Sequence, residues 1–378
     1  MSRVLAPGSR IGLMGGGQLG RMFILAARSM GYRVNVFVPE HDSPAGQVAD
    51  EETTRDYLDE EAVRAFARGV DVLTFEFENI PRQTLQWAAE HAEVRPRGEI
   101  LHITQNRARE KEFLAAAGFP LPAWAKVATA EDLAAAALLT GYPAILKTAS
   151  FGYDGKGQRR LESAKDAMQC DLSGGPFVLE AQVPFVMEVS VIVGRGMDGQ
   201  TACYPVCENM HRNHILDTTV VPARVSPDVA GRAEQLARAI AASLDFVGVL
   251  AVEMFLLPDG TLLVNELAPR PHNSGHFSID ACVTSQFEQQ VRAVGTWPLG
   301  SPELLRPCAT ANLLGDLWAE GEPRWAAAAA LGDVKIHLYG KAEPRAGRKM
   351  GHLTAFGSSP EMALARVVAA RDALRVGR

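Results

Sequence analysis

Apolar and polar residues along the first hundred positions follow the pattern of alternating strands and helices. Residues 10–14 and 33–38 are short apolar runs typical of buried strands, and residues 19–30 have the spacing of a helix. Residues 70–78 alternate apolar and polar positions with a period of two, which predicts a further strand. This order predicts an α/β amino-terminal domain that closes near residue 103.

The rest of the chain carries longer strand patterns. Residues 105–118 predict a helix that ends at a glycine, and residues 177–193 predict two strands separated by a break at Pro184. Two further apolar runs, at residues 248–257 and 261–266, flank an Asp-Gly pair. Asp-Gly between apolar runs is the strongest short-range signal for a β-hairpin, so we expect a hairpin here.

The predicted hairpin has an acidic residue on each arm. We take Asp259 and Gly260 as the two central turn residues. The pairs across the hairpin are then Glu253 with Glu266, Phe255 with Val264, and Leu257 with Leu262.

Two carboxylates directly opposite each other destabilise a sheet unless a cation lies between them. The partner that we expect is Mg2+, because this ion is held by one or two carboxylates together with substrate phosphates. The alternative is a pair of solvated glutamates at a sheet edge.

A glycine-rich turn separates the first predicted strand from the first helix. Residues 15–20 have the Gly-x-Gly-x-x-Gly spacing of dinucleotide-binding turns, and Glu40 follows twenty residues later. The motif favours an NAD-dependent Rossmann dehydrogenase, but such a turn also accepts other anionic groups. Ligands gather at the carboxyl ends of strands in these sheets, where Glu76 and Glu78 are expected, although both could simply be solvated.

A loop rich in glycine follows an apolar strand in the middle of the chain. Lys147 ends that strand, and residues 152–158 contain three glycines and two charged residues. The loop is not a Walker A motif, but it has the backbone N–H groups, the lysine and the flexibility of a lid over phosphates. An ordinary mobile loop is the alternative.

The backbone exposed at the Pro184 break could read an adenine edge, and Glu188 could accept ribose hydroxyls.

Two polar clusters follow the hairpin. Arg270, His272, Asn273 and His276 lie within seven residues, where they could bind an anion or orient a substrate. Residues 341–352 form a basic turn punctuated by glycine, which suits a phosphate monoester. Solvated surface residues are the alternative for both clusters.

Composition narrows the class of protein. The chain has 378 residues, of which 47% are hydrophobic, and a net charge of −6, which suits a globular protein of two or three domains and gives no sign of a nucleic-acid surface. It contains no apolar run of transmembrane length and no signal-peptide pattern, so we expect a cytoplasmic protein. The five cysteines form no zinc pattern and are expected to be reduced, structural thiols.

Four motifs, taken in order, resemble the ATP-grasp superfamily and, more narrowly, its N5-carboxyaminoimidazole ribonucleotide synthetases of purine biosynthesis. They lie at residues 75–80, 152–158, 208–211 and 265–275, and the resemblance extends over essentially the whole chain. No other family known to us combines all four.

The resemblance implies an α/β fold with an α+β arrangement in the ATP-grasp part. The implied domains are a Rossmann-like domain at residues 1–103, a small central lid domain at 104–183, and a carboxyl-terminal ATP-grasp domain with an antiparallel sheet at 184–378. A homodimer is also implied.

The resemblance further implies roles for individual residues. ATP would be bound by Arg107, Lys147, Gly152, Tyr153, Asp154, Gly155, Lys156, Gly157, Gln158, Glu180, Ala181, Gln182, Val183, Glu188, His211, Asn265 and Glu266. Mg2+ would be held by Glu253 and Glu266. The ribonucleotide would be bound by Gly17, Gln18, Leu19, Glu76, Tyr153, Lys341 and Arg348. Asp154 would take a proton from the attacking amine. Arg270 would neutralise bicarbonate or carboxyphosphate, and His272 and Asn273 would orient the acceptor.

The implied reaction joins bicarbonate to the exocyclic amine of 5-aminoimidazole ribonucleotide while ATP is cleaved to ADP and phosphate. Phosphoryl transfer to bicarbonate gives carboxyphosphate and needs charge neutralisation and positioning, which metal ions, lysine and arginine provide. Many ATP-grasp enzymes have asparagine two residues after the second metal-binding glutamate. Ala268 stands there in this chain, so metal ligands beyond the two glutamates stay open.

Three other functions stay open from the sequence. A formate-dependent glycinamide ribonucleotide transformylase would use formate in place of bicarbonate. An NAD-dependent dehydrogenase would explain the glycine motif but neither the hairpin carboxylates nor the loop at 152–158. A nucleotide sensor would bind ATP without turnover.

Overall fold

The amino-terminal part of the chain forms a parallel four-stranded sheet flanked by helices. The computed structural model describes residues 4–150 and 157–376. The strand order in this sheet is β3-β2-β1-β4. The elements are β1 (Arg10–Met14), α1 (Gln18–Ser29), β2 (Arg33–Val38), β3 (Glu51–Thr54), α2 (Glu60–Arg68), β4 (Val72–Phe75), α3 (Arg82–Ala89), α4 (Gly98–Thr104) and α5 (Arg107–Ala116), with a 3-10 turn at Gly46–Val48.

The predicted strand at residues 70–78 is shorter than the sequence pattern indicates. All four residues of β4 are buried, and the strand ends at Phe75. Glu76 and Glu78 therefore follow the strand, at the carboxyl edge of the parallel sheet. Where the chain leaves the sheet, the carboxylate of Glu76 folds back onto the glycine turn, and Gly17 N–H donates to its Oε1 at 2.7 Å.

A second, smaller sheet follows in the middle of the chain. It has four antiparallel strands in the order β5-β8-β6-β7. Its elements are β5 (Trp124–Val127), α6 (Ala130–Thr140), β6 (Ala144–Thr148), β7 (Gln158–Leu161), α7 (Ala164–Met168) and β8 (Phe177–Ala181). The predicted break at Pro184 separates β8 from the next sheet.

The third sheet is large and antiparallel. Its path is β14-β13-β9-β11-β12-β15-β17-β16, and β10 pairs with β9. Its strands are β9 (Met187–Arg195), β10 (Thr201–Cys203), β11 (Cys207–Arg212), β12 (Ile215–Val221), β13 (Gly248–Leu256), β14 (Leu262–Ala268), β15 (Cys308–Leu314), β16 (Val334–Leu338) and β17 (Lys349–Phe356). The helices are α8 (Pro227–Ser243), α9 (Ser278–Ala281), α10 (Gln286–Val294), α11 (Trp325–Ala329) and α12 (Pro360–Ala373), with 3-10 turns at Asn273–Gly275 and Gly315–Trp318.

One helix ties the parallel sheet to the large antiparallel sheet. Phe287, Val291 and Val294 of α10 pack in the same apolar core as Ile11 and Phe23 of the amino-terminal part, while α10 also contacts β13. Each such buried side chain stabilises the fold by about 1.5–3 kcal/mol. The glycine turn and the hairpin are therefore held in a fixed relation by apolar packing.

The hairpin of β13 and β14 brings Glu253 opposite Glu266, as predicted, but by a different route. The turn contains three residues, because Leu257 N–H donates to Thr261 O across Pro258, Asp259 and Gly260. The pairs near the turn are consequently Leu256 with Leu262, Phe255 with Leu263, and Met254 with Val264.

The predicted pairs of Phe255 with Val264 and of Leu257 with Leu262 are therefore wrong. A β-bulge at Asn265 restores the expected register at the acidic pair, since one extra residue in β14 offsets the extra residue in the turn.

These sheets confirm the predicted α/β class with an antiparallel carboxyl-terminal sheet. Within residues 4–150 and 157–376, every helix is too short or too polar to span a membrane.

Candidate active site

Acidic side chains from neighbouring strands of the large sheet share one face. Glu253 of β13 is the cross-strand partner of both Glu266 of β14 and Ser190 of β9. Glu188 lies two residues before Ser190 on β9, so it projects from the same face. His211 of β11 pairs with it, with Nδ1 2.9 Å from Glu188 Oε2. This face is the centre of the site.

The two facing carboxyl groups differ in their electrostatic surroundings. Burial and then the charge of Glu266 raise the pKa of Glu253 to about 8. Burial also raises the pKa of Glu266, but Arg107, Lys147 and Lys111 outweigh it and hold that pKa below its usual range. Glu266 is therefore the charged member of the pair, and the charges of His211 and Lys349 only partly offset the burial of Glu253 and its repulsion by Glu266.

The residues present fit a hard divalent cation. Besides the two facing carboxyl groups, the buried Oδ1 of Asn265 accepts no hydrogen bond from residues 4–150 and 157–376. Among the described residues, no group of three or more His, Cys, Asp or Glu side chains is placed to hold a metal ion. A cation here would therefore take its remaining ligands from water and substrate oxygens, as Mg2+ does in phosphate-binding sites.

Helix α5 brings a cluster of charges to these carboxylates. Arg107 Nη1 donates to Glu266 Oε2 at 3.0 Å, and the buried Glu110 accepts a hydrogen bond from the Leu267 backbone at 3.1 Å. Burial, followed by the charge of Glu266, raises the pKa of Glu110 to about 8. Lys111, the next residue of the helix, is also fully buried.

Glu110 and Lys111 are functional-site residues that the sequence reasoning missed. A signal was available, since positions 107, 110, 111 and 114 lie on one face of a helix at the spacing usually filled by apolar residues. Three of these four residues are charged, which indicates a helix face that packs on a site.

Lys147 lies at the end of β6, as predicted, and its ammonium group is buried. Its Nζ donates to Glu180 Oε2 at 2.9 Å. Burial and the nearby cations Arg107 and Lys111 lower the pKa of Lys147, although Glu180 opposes them. The Glu180 carboxylate is thus bound to lysine. A contact between Glu180 and adenine would therefore use the Glu180 backbone.

The segment after the hairpin reaches the acidic pair through His272. Its Nε2 lies 3.3 Å from Glu253 Oε1, and its Nδ1 lies 2.9 Å from Ser274 Oγ. Burial and the charge of Arg270 hold the pKa of His272 well below its ordinary value, so the ring is neutral. Arg270 in turn forms an ion pair of 2.7 Å with Glu78.

Asn273 and a group of buried polar side chains lie next to His272. The buried Nδ2 of Asn273 has no hydrogen-bond partner among the described residues. Beneath His272, Ser274 Oγ accepts from Ser190 Oγ at 2.9 Å, and Asn209 Nδ2 donates to Ser190 Oγ at 2.8 Å. This buried hydrogen-bonded chain was not predicted, because serine and asparagine in a strand carry no distinctive signal.

The glycine turn accepts an internal carboxylate. Besides the bond from Gly17, the backbone of Gly20 also bonds to Glu76, whose pKa is raised by burial and lowered in part by these bonds and by Arg270 and Lys341. This carboxylate occupies the start of α1, where a dinucleotide would place its pyrophosphate. The anion site that a dinucleotide would need at this turn is therefore already filled by Glu76.

The charge of Lys341 at Glu76 indicates that the basic turn after β16 reaches the glycine turn. Gln47 Nε2 of the 3-10 turn at Gly46–Val48 also donates to Gly340 O at 3.0 Å, which ties the basic turn to the amino-terminal part of the chain. Lys341 Nζ also donates to Lys349 O at 2.7 Å. Gly17, Gln18, Glu76 and Lys341 are thus brought into one region.

The remaining predicted residues are Leu19, Arg348 and residues 181–183. The Leu19 side chain is buried in the amino-terminal core, so only its backbone could touch a ligand. Arg348 Nη1 donates to Glu343 O at 2.8 Å. Ala181 and Gln182 N–H groups bond to Ala123 O and Pro143 O, beside Val183.

The predicted lid falls mainly outside the described residues. Gly152, Tyr153, Asp154, Gly155 and Lys156 are all in this category. Gly157 and Gln158 are described, and Gln158 pairs with Lys147 in the sheet.

Family models match three consecutive parts of the chain. A ribonucleotide synthetase preATP-grasp domain matches residues 9–105, and an ATP-grasp domain matches residues 112–287. A phosphoribosylaminoimidazole carboxylase carboxyl-terminal domain matches residues 308–366.

Individual proteins are similar over nearly the full length. The N5-carboxyaminoimidazole ribonucleotide synthase of Bacillus subtilis is 47% identical over 363 residues, which are 95% of this chain and 94% of that protein. A crystal structure of an N5-carboxyaminoimidazole ribonucleotide synthetase with ADP has a TM-score of 0.93 and 44% identity, with 98% of each chain covered.

A more distant structure carries both ligand types. The Aspergillus clavatus N5-carboxyaminoimidazole synthase in complex with ADP and 5-aminoimidazole ribonucleotide has a TM-score of 0.89 and 32% identity, covering 97% of this chain and 99% of that one. Taken with the facing carboxylates and the glycine turn, these similarities show that the chain belongs to the N5-carboxyaminoimidazole ribonucleotide synthase family of ATP-grasp enzymes.

Proposed function

We propose that this protein is an ATP-dependent carbon–nitrogen ligase that joins bicarbonate to the exocyclic amine of 5-aminoimidazole ribonucleotide. The products would be N5-carboxyaminoimidazole ribonucleotide, ADP and phosphate, in the synthesis of purines. The observation that carries the proposal is the pair Glu253 and Glu266 beside the cations Arg107 and Lys147. Carboxylates for a metal next to cations for phosphates are what phosphoryl transfer requires.

Glu253 and Glu266 would hold Mg2+, with Asn265 beside them. The ion would neutralise charge on the ATP phosphates during transfer. Arg107 and Lys147 would contact those phosphates, and residues 152–158 would cover them. The backbone of residues 180–183 would read adenine. Glu188 would accept the ribose hydroxyls, and His211, whose Nδ1 lies 2.9 Å from Glu188 Oε2, would fix the orientation of its carboxylate.

The carboxylation would proceed in two steps. A bicarbonate oxygen attacks the γ-phosphorus, ADP leaves, and carboxyphosphate forms. In one route the amine of the ribonucleotide attacks the carboxyl carbon, and phosphate departs with the electron pair of the broken C–O bond. In the other route that bond breaks first, phosphate departs, and the amine attacks the CO2 that is released. Asp154 would accept the proton that the amine loses. Enclosure of the site would keep water from hydrolysing the intermediate.

Arg270 would neutralise the bicarbonate and its phosphorylated form, and His272 and Asn273 would orient the acceptor. The positive charge of Arg270 suits both anions. The neutral ring of His272 is fixed between Glu253 and Ser274, so it can orient a neighbouring group without adding charge. The unpartnered amide nitrogen of Asn273 is a donor for an acceptor oxygen of a substrate.

The ribonucleotide would lie against the glycine turn. Gly17, Gln18 and the backbone of Leu19 would contact it together with Glu76. Lys341 and Arg348 would bind its phosphate, and Tyr153 would line the pocket. We also propose that the protein acts as a homodimer, as the resemblance implies.

The experiment that tests this proposal is release of ADP with MgATP, bicarbonate and 5-aminoimidazole ribonucleotide, each omitted in turn. We expect ADP release to require all three. Equal ADP release without the ribonucleotide would contradict the ligase proposal, and support of turnover by formate with glycinamide ribonucleotide would point to the transformylase reaction.

A further inference from the structure

Two lysines share one carboxylate in the interior of this protein. Glu180 is 2% exposed, and its Oε2 accepts from Lys147 Nζ at 2.9 Å. Its other oxygen, Oε1, lies 3.3 Å from the Nζ of Lys111, whose side chain is 1% exposed. The three groups therefore form a buried bridge with two positive charges and one negative charge.

The buried positive charge of Lys111, considered alone, lowers the stability of the fold. Moving an ammonium group out of water costs several kcal/mol unless its pairing is good. Its Nζ has no hydrogen-bond partner among the described residues, so the ion pair with Glu180 is its main compensation. Leu114, one turn further along the same helix face, packs in the core as an apolar residue, and an apolar residue at position 111 would avoid this cost.

The bridge lies next to the facing carboxylates. The charges of Lys147 and Lys111 both lower the pKa of Glu266, so the two ammonium groups are within electrostatic range of it. If a lysine left Glu180 to bind a phosphate, the carboxylate would remain buried without a partner unless a second cation stayed with it. A buried unpaired carboxylate costs several kcal/mol.

We infer that Lys111 is a positioning residue for nucleotide binding, which acts through Glu180 on Lys147. Lys111 stays with Glu180 and shares its charge, and Lys147 is thereby free to exchange Glu180 for the ATP phosphates. Without Lys111, Glu180 would keep one lysine, Lys147, beside the nearby charge of Arg107, and ATP would have to break the pair of Lys147 with Glu180. This inference rests on the proposed role of Lys147 in phosphate binding.

The test measures the dissociation constant of MgATP for four proteins, which are the wild type, Lys111→Met, Glu180→Gln and the double variant. We expect Lys111→Met to weaken ATP binding about tenfold, which corresponds to about 1.4 kcal/mol. In the Glu180→Gln background the same substitution should change the dissociation constant less than twofold, because the carboxylate through which Lys111 acts is gone.

Equal losses in the two backgrounds would overturn the inference, because Lys111 would then act independently of Glu180. No loss in the wild-type background would overturn it as well. If Lys111→Met does not fold, a loss of more than twofold between Glu180→Gln and the double variant would still overturn the inference, and Lys111→Arg should keep ATP affinity within about threefold of wild type.

A matched control and a second readout separate positioning from a structural role. Lys126 pairs with Glu112 on the exposed side of α5, so Lys126→Met should leave ATP binding unchanged. In steady state, Lys111→Met should raise KM for ATP and leave KM for the ribonucleotide within twofold. Equal increases in both KM values would indicate general loosening of the fold and would contradict the inference.

Failure of the inference and failure of the proposed function can be told apart by Lys147→Met. If that variant binds ATP normally, the proposed phosphate site is wrong. If it binds ATP weakly while Lys111→Met binds normally, only the inference about Lys111 fails.

Discussion

Glu253 lies directly opposite Glu266 because two irregularities of the hairpin cancel. The turn holds three residues instead of two, and the bulge at Asn265 shifts the second strand back by one position. The two carboxyl groups therefore meet on the face that also carries Glu188. Like charges that face each other across two strands destabilise a sheet. The pair therefore serves to bind a cation and does not add to the stability of the fold.

Loss of one carboxylate should remove activity. We expect Glu266→Gln to reduce the rate of ADP release about 10²–10³-fold, because the amide keeps the shape but carries no charge for the metal or for Arg107. Steady-state ADP release at saturating MgATP measures the effect. Activity near that of wild type would contradict the proposed metal site.

The same pair should limit stability in the absence of metal. We expect Glu253→Gln to raise the free energy of unfolding by about 1–3 kcal/mol in Mg2+-free buffer at pH 8, because a buried charge opposite Glu266 is removed. The contact between Arg107 and Glu266 stays intact in this variant. Urea denaturation gives the value. Lower stability of the variant would show that neighbouring groups of the protein already stabilise the charge of Glu253 without a metal ion.

The glycine turn should tolerate no side chain at Gly15. This residue has φ of +108°, and a Cβ there would lie 2.6 Å from Glu76 Oε1. We expect Gly15→Ala to cost about 2–3 kcal/mol of stability, from backbone strain and displacement of the carboxylate, and to raise KM for the ribonucleotide but not for ATP.

Gly8 is the matched control for that substitution. It has φ of +91°, and no atom lies within 4 Å of its would-be Cβ. Gly8→Ala should therefore show the strain alone, about 1 kcal/mol, without a change in KM. A similar KM change in both variants would contradict the proposed role of the turn.

A buried histidine cluster should make stability depend on pH. Burial holds the pKa of His352 well below its ordinary value, and the charges of His276 and His337 act in the same direction. Tyr339 OH bonds to its Nδ1 at 2.9 Å, and Asp280 faces His337. The unfolded chain then binds a proton below about pH 6.5 that the folded protein does not, so stability falls as the pH decreases.

Substitution of His352 isolates this contribution from that of the buried carboxyl groups. Between pH 7.5 and 5.5, we expect the wild type to lose about 1 kcal/mol more stability than His352→Gln. Urea denaturation at the two pH values gives the difference. An equal loss in both proteins would contradict the neutral, buried state of His352.

Thiol reactivity should separate one cysteine from the other four. Burial raises the pKa of Cys203 and of Cys282 to about 12, and it also raises that of Cys207 and Cys308, whereas Cys170 is only half-buried. Because the thiolate is the reactive form, iodoacetamide at pH 8 should modify Cys170 first in the native protein and all five thiols in urea. Mass spectrometry of the alkylated peptides measures this, and early labelling of Cys207 would contradict the packing around it.

Local patterns were enough to identify much of this protein. The apolar periods predicted β1, α1 and β2 nearly to the residue, and the Asp-Gly signal located the hairpin with its two glutamates. The motifs also led to the correct family. The division into domains at residues 103 and 183 and the roles of the individual site residues stay predictions.

What the sequence by itself determined is therefore the first strands and helix, the hairpin with its facing acidic pair, and the family, because each depends on residues close together in the chain. Only the tertiary structure decided how distant residues combine. Arg107 meets Glu266 across 159 residues, Glu76 fills the glycine turn across 59, and Lys111 shares Glu180 with Lys147. Such contacts depend on how helices and sheets pack against one another, and a period of two or 3.6 residues specifies which face is buried but not which side chain it will meet.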